Sequence, residues 1–190
     1  MHFRLPWRAG VFEKRLLSRF LTACAIGGAL IAADVLIHAA PLHAAAAGSS
    51  GLQVPRFVSL KAGRVNVRVG PGEDYKIAWV FVRTGLPIEV IQEYDTWRRI
   101  RDSDGAVGWV FNSLLSGRRT VVVTPWNKGE AQPLRAQATA SAAVTAYLEP
   151  GVMGSIDRCR NGWCRISGKG FDGWIEQDRL WGTYPDEDVD

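Results

Sequence analysis

The sequence predicts an all-β protein made of two small barrels in tandem, placed behind an N-terminal signal or anchor helix. Three observations predict this fold class. After residue 56, apolar and polar residues alternate over short stretches, no window of useful length favours a helix, and a set of motifs recurs at one offset. The predicted division is a signal peptide or uncleaved anchor (1–47), a linker (48–55), two barrels (56–117 and 118–184) and an acidic tail (185–190).

The N-terminal segment has the three-part layout of a secretory signal. Residues 1–19 carry basic side chains, residues 20–37 are mostly apolar, and the stretch up to Ala47 ends in small residues. An uncleaved membrane anchor is the alternative, because an apolar run of about 18 residues is long for a signal peptide. Asp34, near the end of that run, disfavours a stable span. The sequence therefore predicts an exported protein, periplasmic or extracellular, that contacts a membrane only through this segment.

The basic excess of the chain lies in the same segment. The whole chain has 23 Lys and Arg against 19 Asp and Glu, but only 18 and 17 of these follow residue 44. A nearly balanced chain offers no electrostatic argument for DNA or RNA. We expect no nucleic-acid partner.

The histidines argue against an enzyme. The three in the chain are His2, His38 and His43, so a chain cleaved near Ala47 contains none. Ser-His-Asp and Cys-His nucleophile systems need an imidazole base, and most catalytic zinc sites need histidine ligands. Carboxylate-pair chemistry stays open, but the sequence context marks no pair. We expect a non-enzymatic protein with no cofactor and no metal.

After the Gly-Ser-Ser-Gly run and Pro55, which indicate a short linker, the chain repeats itself. Residues 97–100 (Trp-Arg-Arg-Ile) correspond to residues 163–166 (Trp-Cys-Arg-Ile), and residues 108–110 (Gly-Trp-Val) correspond to residues 173–175 (Gly-Trp-Ile). Several motifs that recur 65 or 66 residues apart indicate an internal duplication. A unit of roughly 60 residues suits one small barrel.

Within each unit the local signals are those of short strands. Val65–Val69 alternates strictly, so its valines face one side and Asn66 and Arg68 face the other. Residues 70–72 (Gly-Pro-Gly) end this strand, and residues 94–97 (Tyr-Asp-Thr-Trp) predict a hairpin turn. Further strands are predicted at 77–82, 88–91, 121–124, 134–136, 144–148, 155–158, 163–167 and 173–176. Five or six short strands in a unit favour a closed or nearly closed barrel.

These motifs resemble the bacterial SH3 (SH3b) family. The resemblance in the first unit is carried by residues 66–72 (Asn-Val-Arg-Val-Gly-Pro-Gly), Gly85, Trp97, residues 108–110 and Leu115. The second unit keeps Leu134-Arg135, Gly151, Trp163, residues 173–175 and Leu180, but has Ala136-Gln137-Ala138 where a Gly-Pro turn is expected. The resemblance implies two SH3-like barrels that bind rather than catalyse, in a family that often occurs in exported proteins and sometimes recognises cell-wall peptides.

The cysteines of the second unit flank an Asn-Gly pair. Asn161-Gly162 favours a two-residue type I′ hairpin, in which Cys159 faces Cys164 at a non-hydrogen-bonded position within disulfide range. We predict a disulfide, with two free thiols as the alternative. The equivalent residues of the first unit, Glu93 and Arg98, would form an opposite-charge pair in the same register.

The candidate ligand-binding residues are outward-facing aromatic and polar side chains. On regular strands Trp97 shares a face with Arg99, and Trp163 with Arg165, so both tryptophans should be partly exposed. Packing on the outside of the barrel is the alternative for all four motif tryptophans, and turn-bracing hydrogen bonds are the alternative for Asn66 and Arg68. The candidates are Asn66, Arg68, Tyr75, Trp97, Trp109, Trp163 and Trp174.

Two functional hypotheses follow from the sequence. The first is a module that binds peptidoglycan, through its peptide or its glycan, and the alternative is an adaptor for another envelope protein. The tail at residues 185–190 follows Pro185 and is predicted to be solvated and disordered. Trp126 is expected either between the two units or exposed.

Overall fold

The computed structural model describes residues 46–190 except Lys128, so almost all of the predicted signal or anchor segment lies outside the described residues. Within the described part, no helix is long and apolar enough to cross a membrane. The described chain is all-β, with two 3-10 turns, Asn112–Leu114 and Gln177–Arg179. The prediction of two tandem SH3-like barrels is confirmed.

The first module is a seven-stranded antiparallel sheet in the order β5-β4-β8-β7-β6-β3-β9. A short hairpin of β1 (Ala46–Ala47) and β2 (Gln53–Val54) precedes it. Its strands are β3 (Arg56–Leu60), β4 (Val65–Arg68), β5 (Ile77–Phe81), β6 (Pro87–Tyr94), β7 (Trp97–Arg101), β8 (Val107–Phe111) and β9 (Leu115–Ser116).

The second module repeats this topology, in the order β12-β11-β15-β14-β13-β10-β16. The equivalence holds strand by strand, which confirms the internal duplication read from the motifs. The strands are β10 (Thr120–Val123), β11 (Gln132–Arg135), β12 (Val144–Leu148), β13 (Met153–Arg160), β14 (Trp163–Gly168), β15 (Phe171–Glu176) and β16 (Leu180–Trp181).

Each module has its own apolar core, built from one face of its strands. On β4 the alternation is as predicted, with Val65 and Val67 fully buried and the residues between and after them half-buried. Gly108 faces inward, where a side chain would collide with Val67. Gly173 is its equivalent, since a Cβ there would lie 2.7 Å from Leu134 Cγ. These glycines let β8 and β15 approach the core closely and turn the following tryptophan outward.

The predicted disulfide is present between Cys159 and Cys164, whose Cα atoms are 4.0 Å apart. The two residues face each other across the β13–β14 hairpin. Asn161 and Gly162 have φ values of 52° and 75°, the pair of positive values that a type I′ turn requires. Both cysteines are fully buried, so the bond closes the hairpin end of the second core.

The first module has an ion pair at the same place. Glu93 and Arg98 are Cα partners across the β6–β7 hairpin, and Arg98 Nε lies 3.2 Å from Glu93 Oε1. The Glu93 side chain is fully buried. The predicted opposite-charge pair is therefore confirmed, and its burial distinguishes it from an ordinary surface pair.

The segment at residues 48–55, interpreted above as a linker, packs against this ion pair. The backbone N–H of Ser50 donates to Glu93 Oε2 at 2.7 Å and its hydroxyl donates to Oε1 at 2.8 Å. Arg56 Nη2 donates to the same Oε1 at 2.6 Å. The segment is therefore a cap on the first module, because a buried carboxylate needs several donors to offset its lost hydration.

The prediction of a disordered acidic tail is wrong. Cys159 and Val189 exchange two backbone hydrogen bonds, of 2.8 and 3.1 Å, so the tail adds a short bridge to the edge of β13. Glu187 forms a salt bridge with Arg119 at 2.8 Å. The tail is therefore held by backbone hydrogen bonds to the free edge of β13 and by a salt bridge to Arg119.

The two modules share an aromatic contact. The ring of Phe57 lies 5.0 Å from that of Trp181 and 4.7 Å from that of Tyr184. Trp181 Nε1 donates to the carbonyl of Pro87 at 3.1 Å, and the Tyr184 hydroxyl donates to Glu89 at 2.9 Å. Burial, and then the charge of Glu89 and the hydrogen bond to it, raise the pKa of Tyr184 far above its usual range.

A polar contact extends this interface. The hydroxyl of Thr120 on β10 donates to the carbonyl of Gly85 at 2.7 Å and lies 2.6 Å from the hydroxyl of Ser59 on β3. Only residues 117–119 separate β9 from β10. The modules are therefore joined by a short connection and a packed interface. Of the two positions expected for Trp126, between the units or exposed, the structure shows the second, because its surface is 55% exposed.

Candidate functional site

A row of side chains crosses the outer face of the first module and centres on Trp109. Trp109 on β8 is the Cα partner of Arg99 on β7 and of Arg68 on β4. Directly paired residues of neighbouring strands have Cβ atoms about 5 Å apart. The sheet therefore places one indole between two guanidinium groups.

The second module carries the same row. Trp174 on β15 is the partner of Arg165 on β14 and of Arg135 on β11. The register continues the row at both ends, with Gln92 and Ile77 in the first module and Arg158 and Val144 in the second. We call these two sets, Arg99–Trp109–Arg68 and Arg165–Trp174–Arg135, the Arg–Trp–Arg rows.

Both central tryptophans are half-buried, with the rest of the ring open to solvent. Trp109 also meets Tyr94, which is 59% exposed, in an edge-to-face contact of 6.5 Å between ring centroids. A supported but accessible aromatic ring is a surface on which a ligand can stack.

One arginine in each row braces a loop. Arg68 Nη1 donates to the carbonyl of Tyr75 at 2.6 Å, and Arg135 Nη1 donates to the carbonyl of Ala142 at 2.9 Å. The turn-bracing role considered for Arg68 is therefore present in both modules. A neutral carbonyl orients the guanidinium without cancelling its charge, so these arginines remain cations.

The second arginine differs between the rows. Arg165 is paired with Asp172 at 2.9 Å, whereas Arg99 contacts only the neutral Gln92 Oε1, at 3.4 Å, within the described part of the chain. Within the three-residue rows the first therefore presents two cations without a carboxylate partner and the second presents one. Arg158, which continues the second row, adds a further guanidinium there.

The other candidate residues are distributed around the first row. Asn66 is half-buried on the outward face of β4, two residues before Arg68. Tyr75 is 48% exposed, and its ring occupies the space over Gly70, at the loop that Arg68 braces. These residues border the first row without forming its centre.

The expected exposure of Trp97 is wrong. Trp97 is 8% exposed, and its ring packs edge-to-face on Phe111 at 5.5 Å. The two residues are cross-strand partners on the outer face, so one aromatic covers the other. Trp163 is half-buried as expected, because its partner at this position is Glu176 instead of an aromatic residue.

Arg99, Arg135 and Arg165 were not among the candidates. Arg99 and Arg165 were noted only as neighbours of Trp97 and Trp163 along a strand, whereas the structure sets them beside Trp109 and Trp174 on the next strand. Arg135 is the equivalent of Arg68 in the repeat alignment, and that equivalence was the available signal. Among the described residues, no group of three or more His, Cys, Asp or Glu side chains could hold a metal ion.

Comparison with known proteins identifies the family. The model of the bacterial SH3 domain matches the chain twice, over residues 61–117 and 128–182. These matches cover more than half of the chain. The protein belongs to the bacterial SH3 domain family, whose domains are binding modules.

Two solved structures from Trichomonas vaginalis are also similar to the chain. NlpC2 is 13% identical, with 70% of this chain and 49% of that chain covered and a TM-score of 0.31. NlpC1 is 14% identical, with 72% and 48% covered and a TM-score of 0.31. This chain thus spans about half the length of each. No curated protein matches the chain.

Proposed function

We propose that this is an exported, non-catalytic protein that binds the peptide or glycan of the cell wall through its two Arg–Trp–Arg rows. One observation carries the proposal: the same outward-facing row occurs in both modules, on the same strands and in the same register. The two cores differ in their residues, so packing alone does not account for a repeated polar and aromatic row on the outside.

The chemistry of the rows suits wall polymers. An indole face stacks on the apolar face of a sugar or on an alkyl side chain. A guanidinium group binds a carboxylate with two parallel hydrogen bonds. Wall peptides carry free carboxylates beside a sugar backbone, and so present both features. Arg99 and Arg68 contact only neutral acceptors within the described part of the chain, so both guanidinium groups are available to a ligand carboxylate.

The N-terminal segment supports the location. Its basic, apolar and small-residue regions are those of a secretory signal, and export would place the modules in the compartment that holds the wall. The lack of histidine beyond His43 supports a binding role over hydrolysis.

The test is sedimentation with insoluble peptidoglycan sacculi. The bound fraction of the purified protein is measured against sacculus concentration, for the parent and for the Trp109→Ala, Trp174→Ala double variant. We expect saturable binding that weakens about tenfold or more in the double variant, since stacked aromatic residues are frequent binding hot spots. Trp126→Ala is the control, because Trp126 is exposed but lies outside both rows.

The charge contribution has its own matched pair. Arg99→Gln removes an uncompensated guanidinium from the first row, while Arg64→Gln removes an exposed one elsewhere in the same module. We expect only the first to weaken sedimentation, and added salt to reduce the difference. Equal effects of both variants, or sedimentation that the tryptophan double variant leaves unchanged, would contradict the proposal.

An adaptor for an envelope protein is the second candidate, favoured by the open sheet edges. β5 and β12 are edge strands that pair on one side only. Ile77 at the start of β5 is 48% exposed and Tyr147 on β12 is 68% exposed. An open edge with accessible apolar side chains is where a partner can add a strand. A parent protein that stays in the supernatant with sacculi would favour this candidate.

A further inference from the structure

A cleft of about 480 Å³ lies at the hairpin end of the second module, beside Trp163. Its walls are the Trp163 ring from β14, Glu176 at the end of β15, the 3-10 turn Gln177–Arg179, and Asp186 from the C-terminal segment. We call it the Trp163 cleft. No residue of the Arg–Trp–Arg rows lines it.

The two modules differ sharply at this position. In the first module Trp97 faces Phe111, and the two rings pack together with Trp97 8% exposed. In the second module the equivalent Trp163 faces Glu176, and its ring is half-buried. An aromatic pair of this kind stabilises a fold beyond the area that it buries. The second module lacks this aromatic contact and instead has a carboxylate beside an accessible indole.

The cleft has an excess of negative charge. Glu176, Asp178 and Asp186 line it, and Arg179 is the one basic residue among the described residues of its walls. Arg179 Nε lies 3.4 Å from both Glu176 and Asp178, so a single guanidinium is shared by two carboxylates. Arg160, opposite Trp163 on the hairpin, is paired with Asp190 at 2.6 Å. A cationic ligand would offset this excess of negative charge.

Gln177, between Glu176 and Asp178 on the wall of the cleft, holds the C-terminal segment in place. Its residue surface is 4% exposed, and its Nε2 lies 2.8–2.9 Å from Thr183 Oγ1 and from the carbonyls of Tyr184 and Glu187. Its two N–H groups are shared among these three acceptors. The amide therefore fixes the segment that carries Asp186 as one wall of the cleft.

We propose that the Trp163 cleft binds an alkylammonium group, such as that of a lysine or other diamino-acid side chain. The indole face of Trp163 attracts a cation, and Glu176 and Asp178 provide countercharge. This site is independent of the proposed wall-binding rows, because it uses other side chains and selects the opposite charge.

The test separates charge from shape. The full chain, labelled with ¹⁵N at its indole nitrogens, is titrated with n-butylammonium chloride and, in parallel, with 1-butanol, while the indole N–H signals are followed by NMR. Trp163→Phe assigns the Trp163 signal by its disappearance. We expect this signal to move saturably with butylammonium and not with the neutral alcohol, and the other seven tryptophan signals to report that the fold is intact.

A matched pair of double variants tests the carboxylates. Glu176→Gln with Asp178→Asn removes two negative charges from the cleft, and Glu73→Gln with Asp74→Asn removes two from an exposed loop of the first module. We expect the dissociation constant to rise about tenfold in the first and to stay unchanged in the second. Equal shifts with butanol, no saturable shift with butylammonium, or equal weakening in both variants would overturn the proposal. Sacculus sedimentation tests the other site, so either proposal can fail alone.

Discussion

The buried carboxylate of Glu93 makes a prediction that depends on pH. Five donors converge on it: the hydroxyls of Ser49 and Ser50, the backbone N–H of Ser50, and the guanidinium groups of Arg56 and Arg98. The perturbation is Glu93→Gln, which keeps the shape of the side chain and removes its charge.

The magnitude follows from the pKa of Glu93. Burial raises this pKa, but the hydrogen bonds from Ser50 and Arg56 and the charge of Arg98 outweigh burial and bring it from 4.5 to about 2. Each pKa unit corresponds to about 1.4 kcal/mol, so ionised Glu93 stabilises the fold by about 3 kcal/mol at neutral pH. Because the folded pKa is the lower one, this stabilisation is complete above pH 4.5 and is lost as the pH falls through about 2.

The assay is urea unfolding of the parent and the Glu93→Gln variant at pH 7 and pH 3. We expect the variant to be less stable by about 3 kcal/mol at pH 7 and by about 1 kcal/mol at pH 3, where the unfolded parent is protonated and the folded parent is not. Glu73→Gln, at an exposed position of the same module, should change little at either pH. An equal loss for Glu93→Gln at both pH values, or no loss at pH 7, would refute this account of the carboxylate.

Three further predictions concern the disulfide, the interface and the packing glycine. Replacing Cys159 and Cys164 together with serine should cost about 2 kcal/mol in thermal unfolding, and reductant should lower the midpoint of the parent by a similar amount; two freely reactive thiols in the folded, unreduced mature protein would contradict this. Phe57→Ala should cost about 3 kcal/mol or more and broaden or split the calorimetric transition, whereas one unshifted transition would mean that the modules do not stabilise each other. Gly108→Ala should cost about 1–3 kcal/mol by overpacking the core, while Gly117→Ala, in open space, should cost little; equal midpoints would disprove the close approach.

The parts of the fold that local chemistry determines were predictable from the sequence. The alternation of Val65 and Val67 with polar residues identifies a strand whichever strands flank it. The Asn161-Gly162 turn fixes the register of its own hairpin, and with it the facing of Cys159 and Cys164. The recurrence of several motifs 65 or 66 residues later then predicts that the second module has the same architecture as the first.

The remaining features depend on contacts between segments distant in the sequence. The burial of Trp97 requires Phe111, which lies 14 residues later in the chain, on β8. The docking of Val189 requires the free edge of β13 at Cys159, 30 residues earlier in the chain. In the same way, the Arg–Trp–Arg rows depend on which strands become neighbours. The sequence indicated Arg68, Trp109 and Trp174 as candidates but not Arg99, Arg135 and Arg165, which complete the rows.

The hairpin ends of the two modules also make the halves of the protein sensitive to different agents. Acid protonates Glu93 and leaves the bond between Cys159 and Cys164 intact, while a thiol reductant cleaves that bond and leaves the charge of Glu93 unchanged. A reductant can therefore weaken the second half of the unmodified protein while the charge of Glu93 persists, whereas acid acts on both halves because Glu187, which is paired with Arg119, is protonated as well.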